Sequence, residues 1–536
     1  MVNNIQIIYF EGDNSYLSWC KIGYTVSSLK EMDDTQIFVD NVNINNINES
    51  IEKIKCNNPS IIIVFLKSKT YNLAKSFINT YKKDIASVFI CGCHTLATSF
   101  PKKILEDNSN IDSVIFGEED IIAYNLCKTL FANESLENCS GIAYKNGKEV
   151  KVNTPFISNY KMDDLPFPDR YEFPHNKKFF HILGSRGCLG NCSFCNMNVL
   201  YKNNIMLRQK FRSIDNIVTE IDYLVNEFDC KYVGFSDSTF CGIKDKYSPI
   251  YRLKELYNSL SYKEYNIQFF LNMRAEQITE ESIIWLEKLN EIGLSIIFIG
   301  FESFNNNDLK LYNKIATCKE NINAVRLINK SLLKNKHGFM IDLQYGFINF
   351  NPYSTLENIK ENVNYLRKFE LKLTPKILLS KIAVHHGTAI HKRLVKDNLC
   401  SSEVKFYDST IEYKFVDSKV NRLYNILHNF FKDIDFGNYD HYSILYNRYI
   451  NLYGITDFIV SLNKTYKQYL ILQSDFCFNI FCEAIQNINI INENKYDYNF
   501  NENITFEKLK NNKMKLDNKL NRLYIELARI NQLSYF

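Results

Sequence analysis

The first 125 residues alternate short apolar runs with segments of helical pattern. Strands are predicted where β-branched and other apolar residues follow one another, and helices where apolar positions recur at helical spacing. The predicted strands are Ile5–Phe10, Ile37–Val39, Ser60–Leu66, Ser87–Cys91 and Ser113–Phe116, and the helices are Tyr24–Met32, Ile51–Lys55 and Tyr71–Tyr81. Continuous apolar strands separated by helices are typical of a parallel sheet covered on both faces. We therefore expect a doubly wound α/β domain over residues 1–135, with ligands at the carboxyl ends of its strands.

A connector is predicted over residues 136–178. Asn146-Gly147 lies between two short segments, Gly141–Tyr144 and Lys148–Val152, and an Asn-Gly pair in this setting favours a hairpin. Leu165-Pro-Phe-Pro then reads as a proline-stiffened linker into the next domain.

Residues 179–390 repeat the order of strand and then helix. The six predicted strands are Phe179–Leu183, Lys231–Ser236, Ile267–Leu271, Ser295–Ile299, Gly338–Tyr345 and about Lys376–Ala383. The helices between them include one with Ile217, Ile221, Leu224 and Val225 on its apolar face, followed by Ile250–Leu260, Thr279–Ile292, Lys319–Leu333 and Leu356–Phe369. This repeat predicts a partial (β/α)6 barrel, whose chemistry takes place at the carboxyl ends of the strands.

Residues 391–536 are predicted to form a helical C-terminal domain. Its helical segments are Val420–Phe431, Ile455–Leu472, Phe476–Ile488 and Phe506–Ile530. We expect these helices to cover the mouth of the barrel and to shape substrate choice. No β-barrel of the TRAM type is visible in this region, which argues against a tRNA methylthiotransferase.

Composition narrows the class of protein. The 536 residues are 46% hydrophobic and 23% charged, which is ordinary for a globular protein of two to four domains. A net charge of +4 is too small to indicate nucleic acid as a partner. The longest apolar runs are strand-length, well short of the ~20 residues of a membrane span. With 15 cysteines and no N-terminal signal segment, the chain is expected in the reducing cytoplasm.

The most informative stretch is a loop after the first barrel strand. Cys188, Cys192 and Cys195 lie there at spacings of four and three, with Phe194 just before the last cysteine. Three thiolates do not complete a structural zinc site, which takes four ligands. They can hold a [4Fe–4S] cluster by three irons and leave the fourth iron open. Three unrelated cysteines are the alternative, but the spacing, the aromatic residue and the strand context together favour the cluster.

This C-x3-C-x-aromatic-C pattern after a strand resembles the radical S-adenosylmethionine (SAM) superfamily. The resemblance implies that Cys188, Cys192 and Cys195 bind the cluster, that its open iron chelates SAM, and that the backbone at Phe194 meets the adenine. It also implies reductive cleavage of SAM to a 5′-deoxyadenosyl radical, with electrons from a donor such as flavodoxin or ferredoxin.

The ends of the later strands carry the same resemblance. In cobalamin-associated members the second strand ends F-x-D, the third carries an arginine and the fourth ends G-x-E-S. Here these positions are Asp237, Arg274, Glu302 and Ser303, which are implied to contact SAM. An arginine suits the methionine carboxylate or a ribose oxygen, and carboxylates suit the ammonium and the ribose. Each residue alone fits an ordinary ion pair equally well, but their order and register together favour a SAM site.

The first domain resembles the cobalamin-binding domain that precedes many radical SAM cores. The resemblance rests on Ile90–Thr95, where Gly92 and His94 follow a strand, and on Asp112–Glu118. The D-x-H-x-x-G motif that supplies an axial histidine is absent, because the loop after the first strand reads Glu11–Ser15. Members of this type bind cobalamin without that histidine, so a cobalamin site and a degenerate domain both remain open. His94 itself fits a corrin contact or, more simply, a polar loop residue.

The resemblance implies a methyltransferase that methylates an unactivated carbon of a small natural product or a peptide, with SAM, a [4Fe–4S] cluster and cobalamin as cofactors. A lipid substrate fits equally. Two alternatives stay open: a radical SAM epimerase, cyclase or rearrangement enzyme, and a non-catalytic iron–sulfur protein. Candidate hydrogen donors for the former are Cys241 and Cys318, and His385 or His386 is a candidate for acid–base work. No catalytic residue is assigned, and no nucleic-acid site is evident.

Overall fold

A computed structural model gives the arrangement of the chain. It describes residues 3–10, 16–43, 45, 47–156, 160–170, 178–200, 209–243, 245–331, 340–400, 405–489 and 503–528. Two parallel sheets in sequence are followed by a group of helices, as the sequence predicts. The Glu11–Ser15 loop lies outside the described residues, and the predicted domain boundaries at 135, 178 and 390 stay predictions.

The first sheet has seven strands in the order β2-β1-β3-β4-β5-β6-β7. The first five are parallel, and they alternate with helices that cover both faces. The strands are β1 (Asn3–Phe10), β2 (Thr35–Val42), β3 (Ile61–Phe65), β4 (Phe89–Cys93), β5 (Ser113–Ile115), β6 (Ile142–Asn146) and β7 (Glu149–Val152). The helices are α1 (Tyr16–Lys30), α2 (Ile47–Cys56), α3 (Tyr71–Asp84), α4 (His94–Ser99), α5 (Pro101–Asp107) and α6 (Glu119–Phe131).

The doubly wound arrangement is confirmed, with two additions. The predicted hairpin forms, but β6 pairs antiparallel with β5, so it extends the first sheet instead of standing apart as a connector. Helices α4, α5 and α6 were not predicted from the sequence. Because the strand order reverses between β1 and β3, a ligand cleft is expected at the carboxyl ends of the neighbouring strands.

The second sheet has five parallel strands in the order β14-β13-β12-β11-β8. They are β8 (Phe179–Ile182), β11 (Tyr232–Phe235), β12 (Gln268–Met273), β13 (Leu294–Glu302) and β14 (Asp342–Phe347). A short antiparallel ribbon of β9 (Ser185–Gly187) and β10 (Gln209–Phe211) follows β8. The helices are α7 (Met197–Leu200), α8 (Ile214–Phe228), α9 (Pro249–Leu260), α10 (Glu280–Glu291), α11 (Asn306–Leu311), α12 (Cys318–Ser331), α13 (Leu356–Lys368), α14 (Pro375–Leu378) and α15 (Ala389–Lys396).

The sixth predicted strand, about Lys376–Ala383, is wrong in its first half. Thr374 caps a short helix there, since its side chain accepts a hydrogen bond from the Ile377 N–H, and Pro375 occupies the first helical position. Proline at that position has a backbone angle suited to a helix start. Only one parallel bridge, between Phe350 and Lys381, continues the barrel beyond β14 in the described residues.

The C-terminal helices are α16 (Ser418–Phe431), α17 (Tyr442–Tyr453), α18 (Asp457–Gln486) and α19 (Asn503–Ala528). The two helices predicted over Ile455–Leu472 and Phe476–Ile488 are one, α18, because the polar residues between them include no glycine or proline to end it. Among the described helices, none is long and apolar enough to cross a membrane.

Helix α17 was not among the helices predicted in this region, and it does not cover the mouth of the barrel. Ile444 packs with Tyr232 and Ile296, which lie near the amino ends of β11 and β13. The Asn447 amide donates to the Met340 carbonyl at 2.6 Å, just before β14 begins. Helix α17 therefore closes the amino-terminal end of the barrel, opposite the mouth that the carboxyl ends form.

Candidate active site

The cysteine loop, residues 188–196, runs from β9 towards α7 and is fixed from both sides. The Ser193 N–H and hydroxyl donate to the carbonyls of Tyr312 and Leu311, each at 2.8 Å. The Ser193 carbonyl accepts from the Ile390 N–H at 3.0 Å. The Phe194 ring packs edge-on against Tyr312, with centroids 5.7 Å apart. The end of α11 and the start of α15 thus hold the loop over the mouth.

The three predicted cluster ligands share this loop and are each partly buried. The Gly190 N–H donates to Cys188 Sγ at 3.3 Å. Burial raises the pKa of Cys192, while the nearby charges of Lys314 and Arg274 lower it. Burial also raises the pKa of Cys195, and the Cys192 and Cys188 thiols raise it further. The three sulfurs are therefore close enough to influence one another.

The donor set of this loop is three thiols, the type of side chain that holds iron–sulfur clusters. Among the described residues, no group of three or more His, Cys, Asp or Glu side chains is arranged to hold one ion. A [4Fe–4S] cluster binds each thiolate to a different iron, so its sulfurs stand farther apart than the ligands of one ion. The three thiols must lose their protons when they bind iron.

Arg274 follows β12 and lies directly against the cysteine loop. A Cβ added at Gly190 would stand 2.2 Å from Arg274 Nη1, so the absence of a side chain there is what lets the guanidinium approach. Arg274 Nε is bonded to Glu276 at 2.5 Å, but Nη2 is buried without a hydrogen-bond partner. An unsatisfied buried donor is unfavourable unless a ligand accepts from it. This donor suits a carboxylate or a ribose oxygen.

Glu302, at the end of β13, also faces the mouth. Its backbone lies in the left-handed region, with φ of 65°, which is uncommon for a residue other than glycine. The carboxylate lies across Gly300 and Gly346, where added Cβ atoms would stand 2.7 Å and 3.2 Å from its oxygens. Lys314 Nζ is 3.6 Å away. Strained backbone of this kind is concentrated at functional sites, and here it aims the carboxylate at the mouth.

Asp237 does not face the mouth, contrary to the simplest form of the prediction. Ser236 faces the barrel interior, where its hydroxyl lies 2.5 Å from His181 Nδ1. A Cβ added at Gly184 would stand 3.2 Å from Asp237 Oδ1 and 3.3 Å from Arg252 Nη2, so the Asp237 carboxyl lies beside Arg252 of α9. Its Oδ2 accepts from the Gly184 N–H at 2.9 Å, and only 1% of the residue is exposed. Asp237 therefore anchors the start of the cysteine loop.

Ser303 is likewise engaged inside the protein. It is fully buried, its hydroxyl lies 3.0 Å from both Asp308 Oδ2 and Asn362 Oδ1, and it accepts from the Asn305 N–H. A hydroxyl has one proton to donate, so these partners leave it nothing to donate to SAM. Ser303 fixes the turn after Glu302. The predicted contact between the Phe194 backbone and the adenine stays a prediction.

We expect Asp237→Asn to flatten the pH dependence of stability below pH 7. Burial raises the pKa of Asp237 to about 6, although Arg252 lowers it. The folded state thus binds a proton more tightly than the unfolded state, whose aspartate titrates near ~3.9. Stability from this group is complete below about pH 4 and is lost as pH rises through about 6. Urea unfolding at several pH values between 4 and 7 measures the free energy of unfolding. If this free energy changed with pH equally in the wild type and the variant, the result would contradict this account.

The other candidate side chains are buried or bonded to the backbone. Cys241 is fully buried in the core between strands and helices, and burial raises its pKa to about 12. Cys318 is buried at the start of α12. His385 and His386 bond to the backbone carbonyls of Ser409 and Lys405. None of the four has a position that indicates chemistry.

A cleft lies between the first sheet and the cysteine loop, and it has a volume of about 150 Å³. His94 lines it, with φ of 83° and its Nδ1 3.1 Å from Glu119 Oε1. Arg186, two residues before Cys188, is bonded by both terminal nitrogens to Asp120 at the start of α6, at 3.1 Å and 2.8 Å. No sequence pattern predicted this pair, because Asp120 reaches the strand ends through α6, a helix that the pattern did not predict.

Comparison with known proteins agrees with this geometry. A model of the radical SAM superfamily matches residues 182–351. An uncharacterized methyltransferase, PH0819, from Pyrococcus horikoshii is 22% identical over 70% of this chain and 78% of its own length. The 4′-phospho-dehydrooxetanocin synthase of Priestia megaterium is 25% identical over 61% of this chain, but over only 45% of its own length.

The fold as a whole also has a solved counterpart. The structure of the cobalamin-dependent SAM radical enzyme OxsB, with aqua-cobalamin and SAM bound, superposes with a TM-score of 0.69. The match covers 99% of this chain and 81% of that one at 18% identity, so it establishes a shared architecture. The family model spans β8 to β14 and includes the cysteine loop, Arg274 and Glu302. Residues 182–351 of this chain therefore match the radical SAM superfamily.

Proposed function

We propose that this radical SAM enzyme binds a [4Fe–4S] cluster through Cys188, Cys192 and Cys195, holds SAM beside Arg274 and Glu302, and methylates an unactivated carbon with the help of cobalamin. The observation that carries the proposal is the meeting of three partly buried thiols with the unpartnered Nη2 of Arg274 at the carboxyl ends of parallel strands. A small natural product or a peptide is the proposed substrate, and flavodoxin or ferredoxin the proposed reductant.

The bound cofactors supply the radical and the methyl group, and the protein supplies binding, orientation and exclusion of water. Arg274 Nη2 donates to the methionine carboxylate, and charge assistance strengthens this bond. Glu302 would accept from the ammonium or the ribose, and Lys314 Nζ lies 3.6 Å from its carboxylate. Gly190, Gly300 and Gly346 leave the space that these two side chains occupy.

Cobalamin is proposed for the cleft between the first sheet and the cysteine loop. The shared architecture with OxsB supports this, as do relatives named as methyltransferases. At about 150 Å³ the cleft is smaller than the ~300–1,000 Å³ typical of small-molecule sites. Cobalamin binding therefore requires the Arg186–Asp120 and His94–Glu119 walls to move apart.

The narrow cleft favours one alternative, a radical SAM enzyme that catalyses ring formation or rearrangement and whose first domain is only structural. The relatives include a synthase and an anaerobic magnesium-protoporphyrin IX monomethyl ester cyclase, so the family likeness does not decide between the two.

Cobalamin retention separates these functions. The protein is purified anaerobically, its cluster is reconstituted, hydroxocobalamin is added, and the desalted sample is read for corrin absorption against protein. Near-equimolar retention supports the methyltransferase. No retention together with continued cleavage of SAM to 5′-deoxyadenosine contradicts it and leaves the ring-forming alternative.

We expect Arg274→Ala to weaken SAM binding by about 10- to 100-fold, because a hydrogen bond to a charged group contributes ~1.5–3 kcal/mol. Equilibrium dialysis of SAM against the cluster-loaded protein measures this. Arg326→Ala, which removes an arginine from α12 far from the cysteine loop, is the matched control and should bind SAM as the wild type does. Equal SAM affinities of Arg274→Ala and Arg326→Ala would show that Arg274 does not contact SAM.

A further inference from the structure

A second and larger cavity, which we call the lower cavity, lies far from the cysteine loop. Its volume is about 800 Å³, within the range typical of small-molecule sites. It is enclosed by the amino-terminal half of β14, the residues that follow α13, and helices α17 and α18. Because the cysteine loop lies at the carboxyl ends of the strands, the two sites are at opposite ends of the barrel.

The wall of the lower cavity is mainly apolar and aromatic. The side chains that provide this surface are Met340, Leu343, Tyr345, Leu371, Leu373, Tyr446, Tyr466, Leu470 and Ile471. Four of the seven charged residues in the wall are paired with each other: Lys372 with Asp342, and Arg367 with Asp475. The Tyr345 hydroxyl donates to the Lys372 carbonyl at 2.6 Å. The interior therefore suits a hydrocarbon chain.

The mouth of the lower cavity has a different character. It continues into a shallow groove along α18 that shares Asn463, Lys467 and Ile471 with the cavity. Ile471 is 61% exposed, and Lys464 also lines the groove. Neither Lys464 nor Lys467 has an ion-pair partner among the described residues, whereas Asn463 Oδ1 is buried without a hydrogen bond. An exposed apolar side chain beside two unpaired lysines suits the junction between an apolar tail and an anionic head.

We propose that the lower cavity binds a single-chain anionic amphiphile, a fatty acid, with its hydrocarbon chain among Tyr446, Tyr466 and Leu470 and its carboxylate at Lys464 and Lys467. The tail leaves water for the apolar wall, which is the driving force. The two lysines select for an anionic head over a neutral one. The lower cavity shares no residue with the cysteine loop or with the SAM site proposed at the barrel mouth. Fatty-acid binding therefore does not depend on the proposed methyl transfer.

The test uses the full-length protein, freed of lipid, and palmitate as the probe in isothermal titration calorimetry. We expect saturable binding of one palmitate per chain. Leu470→Trp fills the cavity and should weaken palmitate binding at least 10-fold, whereas Met514→Trp on α19, where residue 514 is 59% exposed, should leave it unchanged. Circular dichroism melting verifies that both variants fold.

A second variant tests the head group without altering the core. Lys464→Gln combined with Lys467→Gln should weaken palmitate at least 10-fold but leave the neutral monopalmitoylglycerol unaffected, while Lys515→Gln, an exposed lysine on α19, should change neither. Palmitoyl lysophosphatidate that binds with the same dependence on residues 464, 467 and 470 supports the anionic-amphiphile site and identifies a phospholipid source. Absence of saturable binding, or equal palmitate affinity in the wild type and Leu470→Trp, overturns the proposal.

Discussion

Replacing Cys192 by alanine is expected to abolish cluster binding and, with it, the cleavage of SAM. The loop provides three cysteine ligands, so the wild-type cluster already has one iron without a protein ligand. The variant keeps two cysteines and leaves a second iron without one. Reconstituted wild-type protein should carry about four irons per chain, and the variant close to none. Iron and sulfide analysis, together with chromatographic detection of 5′-deoxyadenosine after reduction, measures both effects.

The matched control for Cys192→Ala is Cys56→Ala. Cys56 is exposed at the end of α2 and plays no part in the barrel, so the iron content and SAM cleavage should stay at the wild-type level. Circular dichroism of both proteins excludes unfolding as the cause of iron loss. Wild-type iron content in Cys192→Ala would show that the cluster is held elsewhere and would remove the basis of the proposed function.

The second large effect is expected from Asp120→Ala. The side chains of Asp120 and Arg186 are only 3% and 10% exposed, so removal of the carboxylate leaves a buried guanidinium without its anion. Breaking a buried pair in this way destabilises a protein by ~3–5 kcal/mol. Denaturant unfolding followed by circular dichroism measures the loss. Because Arg186 lies two residues before Cys188, the variant should also retain less iron after reconstitution.

A surface ion pair provides the comparison for Asp120→Ala. Lys102 and Glu106 are 3.8 Å apart on α5, with more than half of each side chain exposed. Exposed pairs of this kind contribute ~0–1 kcal/mol, so Glu106→Ala should shift unfolding only slightly. If Asp120→Ala were no more destabilising than Glu106→Ala, then the pair would not fasten the cysteine loop to the first domain.

The sequence was sufficient to predict the features of the fold that depend on local residue patterns. The apolar runs located both parallel sheets, and the spacing of Cys188, Cys192 and Cys195 located the loop that the radical SAM model covers. Arg274 and Glu302 were predicted to bind SAM, and both follow or end strands whose ends converge at one edge of the sheet. Their contact with SAM stays a prediction.

The features that sequence reasoning missed depend on tertiary geometry. Asp237 and Ser303 lie at strand ends as Arg274 and Glu302 do, but their side chains point away from the mouth. The direction depends on where the side chains of each strand stop alternating between its two faces. At the end of β13 a register shift between Gly300 and Glu302 alters the alternation. The Arg186–Asp120 pair joins residues 66 positions apart. Helical periodicity also carries no information about which end of a barrel a helix packs on. The position of α17 could therefore not be predicted from it.

The bond between Arg186 and Asp120 would also couple the proposed cluster site to the proposed cobalamin site. A ligand that opens the cleft must separate or shift this pair, and the shift reaches the backbone two residues before Cys188. If occupancy of the cleft changes the affinity of the loop for iron by some factor, then iron changes the affinity of the cleft for its ligand by the same factor. Loading one site therefore sets how readily the other fills, and the order in which the two are loaded changes the rate but not the final state.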